Sequence, residues 1–170
     1  MKLETWTLDD GPELARICSA VDRSNLSDRI PYPYTLAHAR DWLTMVGQRE
    51  GRDALYRKIV LDGQVVGNIS VEAGEGISRR TGEIGYFLLS DCHGRGIMSR
   101  AAGQICALAF QELGLHRISG FAYARNLPSR RVLEKNGFIL EGIMRGAVLK
   151  DGEFLDYAIY GKLTGDPGGA

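Results

Sequence analysis

Gly82-Glu83-Ile84-Gly85-Tyr86-Phe87-Leu88-Leu89-Ser90-Asp91-Cys92-His93-Gly94-Arg95-Gly96-Ile97-Met98 decides how this chain is read. The segment predicts a strand, a short loop with two glycines, and a helix. The helix has almost no polar face: Ile97, Met98, Ala101, Ala102, Ile105, Cys106, Leu108, Ala109, Phe110 and Leu113 surround it. A glycine loop that feeds a helix N-terminus presents unpaired N–H groups and the positive end of the helix dipole. That combination suits an anion such as a pyrophosphate. Glu83 lies upstream on the strand, so one segment offers both an anion cradle and a base. The spacing departs from the common nucleotide fingerprints. Ser99 stands where the dinucleotide motif needs its last glycine, and no lysine closes the loop as in a P-loop.

Working outward, the run Ile84 to Leu89 lacks polar alternation, which predicts a central strand, Thr81 to Leu89, buried on both faces. Gly85 suits a bulge that would aim Glu83 into a cleft. Upstream, Ala54–Leu61 and Gln64–Glu72 read as a hairpin through Asp62-Gly63, followed by a loop over Ala73 to Arg80. The chain opens with a strand near Lys2–Thr7. Asp9-Asp10-Gly11-Pro12 then starts a helix with an aspartate cap, Asp22 to Pro33 is a loop, and Thr35 caps a second helix. Downstream, the long helix runs from Gly96 to about Leu113 and stops at Gly114. Arg117–Tyr123 follows as a strand parallel to Thr81–Leu89, because a strand–helix–strand crossover makes it so. A short helix starts at Pro128 and ends at Asn136-Gly137. Phe138–Leu149 and Phe154–Lys162 form a last hairpin around Asp151-Gly152, and Thr164–Ala170 is a loose tail. The fold class is α/β, a mixed sheet with helices packed on it, in the order β-α-α-β-β-β-α-β-α-β-β. One domain is expected over residues 1–163.

Composition narrows the function. The chain's 170 residues suffice for one domain with a real core, and its zero net charge offers no basic footprint for nucleic acid. No run of about 18 apolar residues predicts a membrane span. Cys18, Cys92 and Cys106 have no metal-like spacing, and an odd count without an apolar signal core near Leu3-Glu4-Thr5-Trp6 predicts reduced thiols in the cytoplasm. His38, His93 and His116 are scattered, so no metal site is expected.

Several motifs, in this order, resemble one family. Ile30-Pro31-Tyr32-Pro33-Tyr34-Thr35-Leu36-Ala37-His38-Ala39 is similar to its Pro-Tyr-Thr-x-x-x-Ala segment, and Gly82-Glu83-Ile84-Gly85-Tyr86 to its Glu-Ile-Gly-Tyr strand. His93-Gly94-Arg95-Gly96-Ile97-Met98-Ser99-Arg100-Ala101 resembles its Gly-Lys/Arg-Gly-x-x-x-x-Ala coenzyme loop. Asn126-Leu127-Pro128-Ser129-Arg130-Arg131-Val132-Leu133-Glu134-Lys135-Asn136-Gly137-Phe138 resembles Asn-x-x-Ser-x-x-Val-Leu-Glu-Lys-x-Gly-Phe. Glu141-Gly142 to Arg145, Asp151-Gly152 and Asp156 look like the closing hairpin. On these residues the chain is similar to the GNAT superfamily of acyl-CoA N-acyltransferases, and within it to the RimJ/RimL branch that acetylates ribosomal-protein N-termini. Asp91 departs from the Arg or Gln at the head of the superfamily's coenzyme loop. Leu133 stands where many members carry a tyrosine acting as general acid.

The resemblance implies direct attack of a primary amine on the thioester of acetyl-CoA, with no metal. Amines are protonated at neutral pH, with pKa roughly 8 for an α-amine and 10.4 for lysine, so a base must take a proton. Glu83 is the candidate, against the reading that it is a solvated strand residue. Ser129 is the candidate hydrogen-bond partner of the leaving thiolate; its other reading is a first-turn capping residue. Asn126 either bonds the pantetheine amides or orders its own turn. The implied coenzyme contacts are Leu88, Leu89, His93, Gly94, Arg95, Gly96, Ile97, Met98, Asn126 and Ser129. Arg95, Arg130 and Arg131 are candidates for the adenosine phosphate. Tyr32, Tyr34, Glu83 and Tyr86 are the candidate acceptor contacts. Backbone N–H groups around Tyr86 to Leu88 are placed to hold the oxyanion. The segments Asp22–Tyr34 and Ala73–Arg80 would wall the amine pocket, and Arg23, Arg29, Arg79 and Arg80 there argue against cationic acceptors. Asp22, Asp28, Glu72 and Glu75 oppose that argument. The acceptor is a protein N-terminal α-amine or a small molecule such as a polyamine, amino acid or aminoglycoside. The chain is read as a monomer or homodimer. A non-catalytic acyl-CoA-binding protein on the same fold is the competing function.

Overall fold

The two Asp-Gly pairs set both hairpins. Asp62 and Asp151 take φ of 51° and 50°, and Gly63 and Gly152 both take 81°, the left-handed pair that a tight two-residue turn requires. The computed structural model describes residues 1–166. Its strands are β1 (Lys2–Thr5), β2 (Ala54–Leu61), β3 (Gln64–Ala73), β4 (Thr81–Leu88), β5 (Arg117–Tyr123), β6 (Ile139–Lys150) and β7 (Glu153–Leu163). Its helices are α1 (Gly11–Ala20), α2 (Leu36–Arg49), α3 (Ile97–Glu112) and α4 (Leu127–Lys135). This is the mixed α/β architecture expected, in the expected element order.

All seven strands join one sheet in the order β1-β2-β3-β4-β5-β7-β6. Only β4 and β5 pair in parallel, as the crossover through α3 dictates. Alternate residues of β2 feed two cores. Leu55 and Ile59 join Ile69, Ile105 and Ile118 on one face, while Ala54 and Tyr56 join Trp6, Ile17 and Leu43 on the other. The period of two puts α3 on one side of the sheet and α1 with α2 on the other. Truncating a buried anchor such as Ile105 to Ala would cost about 2–5 kcal/mol.

The expectation for β4 needs correction. The strand is central, yet Gly85 is exposed and Tyr86 and Phe87 are only partly buried. The cause is a fork in the sheet. β4 stays paired with β3 up to Leu88, but its pairing with β5 ends at Ile84–Gly120. β5 continues on β7 to Tyr123. Gly85–Leu88 and Phe121–Tyr123 therefore separate. Leu133 of α4, 1 % exposed, sits at the fork. A Cβ on Gly120 would come within 2.7 Å of its Cδ2, so only glycine lets the helix approach this closely. The bulge expected at Gly85 is absent; the β3–β4 register runs unbroken from Gly67–Leu88 to Ala73–Gly82.

Two local details also differ. Asp10 makes no side-chain cap bond to α1. Its carboxylate accepts instead from the N–H and hydroxyl of Thr7, at 2.8 and 2.9 Å, and from Lys58 Nζ at 2.7 Å. The nearly buried ammonium of Lys58 needs that counter-charge more than the helix needs a cap. At the other end, Thr164 N–H donates to His116 at 2.9 Å, and Asp166 accepts from Leu163 N–H at 2.8 Å. The expected tail is thus tied to the sheet at its start, and its residues 167–170 lie outside those described. Among the described residues no helix is long and apolar enough to cross a membrane, and no group of three or more His, Cys, Asp or Glu side chains is placed to hold a metal.

Candidate active site

The fork opens a cavity of about 1180 Å³. It runs from the glycine loop, past the separated edges of β4 and β5, to the loop between α1 and α2. Between Gly85 and Leu88, β4 has β3 on one side and no strand on the other. Backbone groups that a continuous sheet would consume are left for something else.

At one end lies the glycine loop expected to cradle an anion. Gly94 and Gly96 take φ of 72° and 69°, a conformation that L side chains avoid. The left-handed Gly96 turns the chain into α3 and caps it without a side chain. The first carbonyl used inside the helix is Gly96 O, which accepts from Arg100 N–H at 3.1 Å. The N–H groups of Ile97, Met98 and Ser99 precede that bond and carry the helix's positive end. These three residues, with Gly94, Gly96 and His93, line the cavity. His93 Nε2 is 2.9 Å from Leu88 O, which ties the loop back to the end of β4. Asp91 is exposed and lies outside the lining.

The middle of the cavity brings Tyr86 and Ser129 together. Their hydroxyls are 2.9 Å apart, and the Tyr86 hydroxyl also donates to Ser129 O at 3.1 Å. Burial pushes the Tyr86 phenol up to about 12, against a smaller lowering by the bond to Ser129. Asn126 caps α4 by accepting from Ser129 N–H at 3.2 Å, so its Oδ1 orders the turn. Its side of the helix still faces the cavity. Leu133 points into the fork rather than into the cavity.

The far end holds the residues expected to meet the acceptor. Glu83 is exposed to the cavity and has no hydrogen bond or ion pair among the described residues. Its cross-strand partner Glu72 also lines the cavity but accepts from Arg49 at 2.7 Å. Tyr157, stacked on Phe121 at 5.5 Å between ring centres, lies near Glu83. Burial raises its hydroxyl above the ordinary phenol range, with the Glu83 charge adding to the effect. Tyr34, His38, Asp41 and Trp42 close this end. Burial and contact with Cys18 raise the Tyr34 phenol as well.

Of the residues expected to form the site, Glu83, Tyr86, Leu88, His93, Gly94, Gly96, Ile97, Met98, Asn126, Ser129 and Tyr34 line this one cavity. Tyr32, Leu89 and Arg95 do not. Tyr32 is 73 % exposed and carries the Arg23 guanidinium on its ring, 5.0 Å from the centroid. Leu89 packs into the α1–α2 core, and Arg95 faces solvent. Arg130 is bound to the Tyr160 hydroxyl at 2.8 Å and to Ala124 O at 3.1 Å, so it does not serve the cavity. Arg131 lines it, joined by Lys135, a cation the sequence reading missed.

The wall expected from Ala73–Arg80 is not part of the lining, and three of the four arginines expected in the two walls bond elsewhere. Arg23 donates to Ile30 O at 2.7 Å, Arg79 to Gly76 O at 3.0 Å, and Arg80 to Gly114 O at 3.0 Å. Arg29 alone of the four faces the cavity. The argument against cationic acceptors then rests on Arg29 alone of the four.

Two of the three cysteines are poorly suited to act as nucleophiles. Cys18 and Cys106 are buried, and desolvation pushes both thiols up to about 12, far from the thiolate form a nucleophile needs.

Known proteins resemble this chain in sequence and in fold. Residues 1–139 match the family model described as Acetyltransferase (GNAT) domain. The "Probable N-acetyltransferase YjcK" of Bacillus subtilis is 36 % identical over 136 residues, 78 % of this chain and 75 % of that protein. The "Putative ribosomal N-acetyltransferase YdaF" of the same organism is 32 % identical over 123 residues, 72 % of this chain and 65 % of that protein. The solved structure of RimL, a ribosomal L7/L12 alpha-N-protein acetyltransferase in complex with coenzyme A, superposes with a TM-score of 0.84 at 23 % identity, covering 95 % of this chain and 92 % of that one. That last likeness speaks to the fold. The glycine cradle, the forked sheet and a family match over most of its length agree: the chain belongs to the GNAT family, acetyltransferases that take their acetyl group from acetyl-CoA.

Proposed function

We propose that this enzyme transfers the acetyl group directly to a primary amine, with a protein N-terminal α-amine as acceptor. The observation that carries the direct route is the placement of Glu83, Tyr86, Ser129 and the glycine cradle along one continuous cavity. Acetyl-CoA supplies an activated thioester. The N–H groups of Ile97, Met98 and Ser99 hold its pyrophosphate, with Arg131 and Lys135 adding positive charge. The unpaired edge of β4 between Gly85 and Leu88 supplies donors for the developing oxyanion. Glu83 takes the proton of the incoming amine, directly or through one water. Ser129 holds the departing sulfur by a hydrogen bond, since a thiolate of pKa near 8.5 leaves without a full proton transfer. Asn126 serves by capping α4 and so setting the place of Ser129.

The N-terminal acceptor is supported by the printed name of YdaF and by the motifs shared with the RimJ/RimL branch. A second reading has its own observation. Asp22, Asp41, Glu72 and Glu83 line the acceptor half against Arg29 and His38, a balance that suits a small cationic amine. One experiment separates the two: thiol release from acetyl-CoA across peptides with free N-termini, polyamines, amino acids and aminoglycosides. Turnover with peptides supports the first reading and turnover with polyamines the second. No thiol release with any amine would mean a coenzyme-binding protein without transferase chemistry.

A further inference from the structure

Leu133 occupies the helix position where many relatives present a phenol, and its side chain is locked into the fork over Gly120. A phenol nevertheless reaches the same region from another element. Tyr86 on β4 crosses the cavity to α4 and touches one residue there twice, at Ser129 Oγ (2.9 Å) and Ser129 O (3.1 Å). The carbonyl only accepts, so that bond exists only while the single phenol proton points at it rather than at Ser129 Oγ. The hydroxyl pair has two arrangements. With the phenol proton on the carbonyl, Ser129 Oγ–H turns back to Tyr86. With the phenol proton on Ser129 Oγ, the serine proton is released toward the cavity.

We propose that Tyr86 is a positioning residue that holds the Ser129 hydroxyl in its donor orientation toward the leaving sulfur. This rests on the reading of Ser129 as the sulfur's partner. In the working arrangement Tyr86 O–H donates to Ser129 Oγ and Ser129 O–H donates to sulfur. The carbon–sulfur bond breaks, sulfur keeps the electron pair, and each proton stays on its own oxygen. Donation into Ser129 Oγ polarises its O–H bond and strengthens the second hydrogen bond, as linked hydrogen bonds do in a low-dielectric site. Burial disfavours the phenolate, which keeps the donor proton on Tyr86.

The test is a double-mutant cycle on kcat with Tyr86→Phe, Ser129→Ala and the double variant, measured with saturating amine where chemistry limits turnover. Ser129→Ala is expected to lower kcat about 10-fold and Tyr86→Phe about 3- to 10-fold, with acetyl-CoA affinity by calorimetry unchanged within twofold. The double variant should be no slower than Ser129→Ala alone, because Tyr86 acts only through that hydroxyl. If Ser129→Ala is as fast as the parent, the role of Ser129 itself falls. If Ser129→Ala is slow while Tyr86→Phe matches the parent, or the two losses multiply, Ser129 stands and the positioning role of Tyr86 is overturned. Thermal melting of each variant guards the cycle. Should Tyr86→Phe unfold, 3-fluorotyrosine at residue 86, a better donor, should raise kcat in the parent and leave Ser129→Ala unaffected. An equal effect in both backgrounds would overturn the proposal.

Discussion

Glu72 and Glu83 stand opposite each other on β3 and β4, and among the described residues only Glu72 of the two has a cation. Arg49 reaches across from α2 to bond Glu72 at 2.7 Å. It also bonds Asp53 and the Tyr56 hydroxyl, so it is fixed in place. With Glu72 held by Arg49, Glu83 is the carboxylate of this pair that meets the cavity without a side-chain partner among the described residues, which suits it to the base role proposed for it.

The cradle should be sensitive to charge at Gly96. Nothing lies within 4 Å of a Cβ built there, so bulk alone is tolerated; the positive φ and the added charge are what matter. Gly96→Glu should weaken acetyl-CoA binding tenfold or more, about 1.4 kcal/mol. Calorimetry beside a melting curve checks this, and unchanged affinity in a folded variant would remove the cradle assignment.

The fork should depend on Gly120. An added methyl would meet Leu133 Cδ2 at 2.7 Å and Cδ1 at 3.0 Å, in a side chain with no room to yield. Gly120→Ala should destabilise the fold by about 1–3 kcal/mol. It should also lower kcat, because α4 carries Ser129. Chemical denaturation reads the first effect and steady-state kinetics the second; a variant unchanged in both would mean the fork is not set by this contact.

Asp10 gives a pH signature of stability. Burial alone would raise its carboxyl, but bonds from Lys58 and Thr7 outweigh that and hold it below 3.8. A depressed folded-state value adds stability above the unfolded value, and that contribution is lost as pH falls through the folded value. Asp10→Asn should cost about 1–2 kcal/mol at pH 7. The gap to the parent should close in acid below the ordinary carboxylate range. Melting curves across pH check it; a gap that stays constant into acid would mean the ion pair contributes nothing.

Local backbone chemistry was legible in the sequence, and long-range pairing was not. Gly94, Gly96 and Asn126 act through their own turns, so their neighbours in sequence announce them. The Asp-Gly hairpins are local in the same way. Arg49–Glu72 and Tyr86–Ser129 join residues 23 and 43 apart, and no spacing encodes such contacts. Tyr32 shows the opposite error. An aromatic in a loop before a helix looked like a pocket wall, yet only the fold shows that it stacks on Arg23 outside the cavity. The bulge expected at Gly85 failed because glycine permits several departures from a ladder. Here the sheet opens by β5 turning away with β7, which β4's own residues do not record.

The pH dependence of Glu83→Gln tests the central claim most directly, that Glu83 removes the amine proton within the forked sheet. The substitution keeps shape and removes the base. The kcat of the variant should fall about 10²-fold at neutral pH, with acetyl-CoA affinity little changed. The deficit should shrink as pH rises toward the amine's own pKa, because free amine then arrives without help. A loss of the same size at every pH would contradict the account and reduce Glu83 to a residue that places the acceptor.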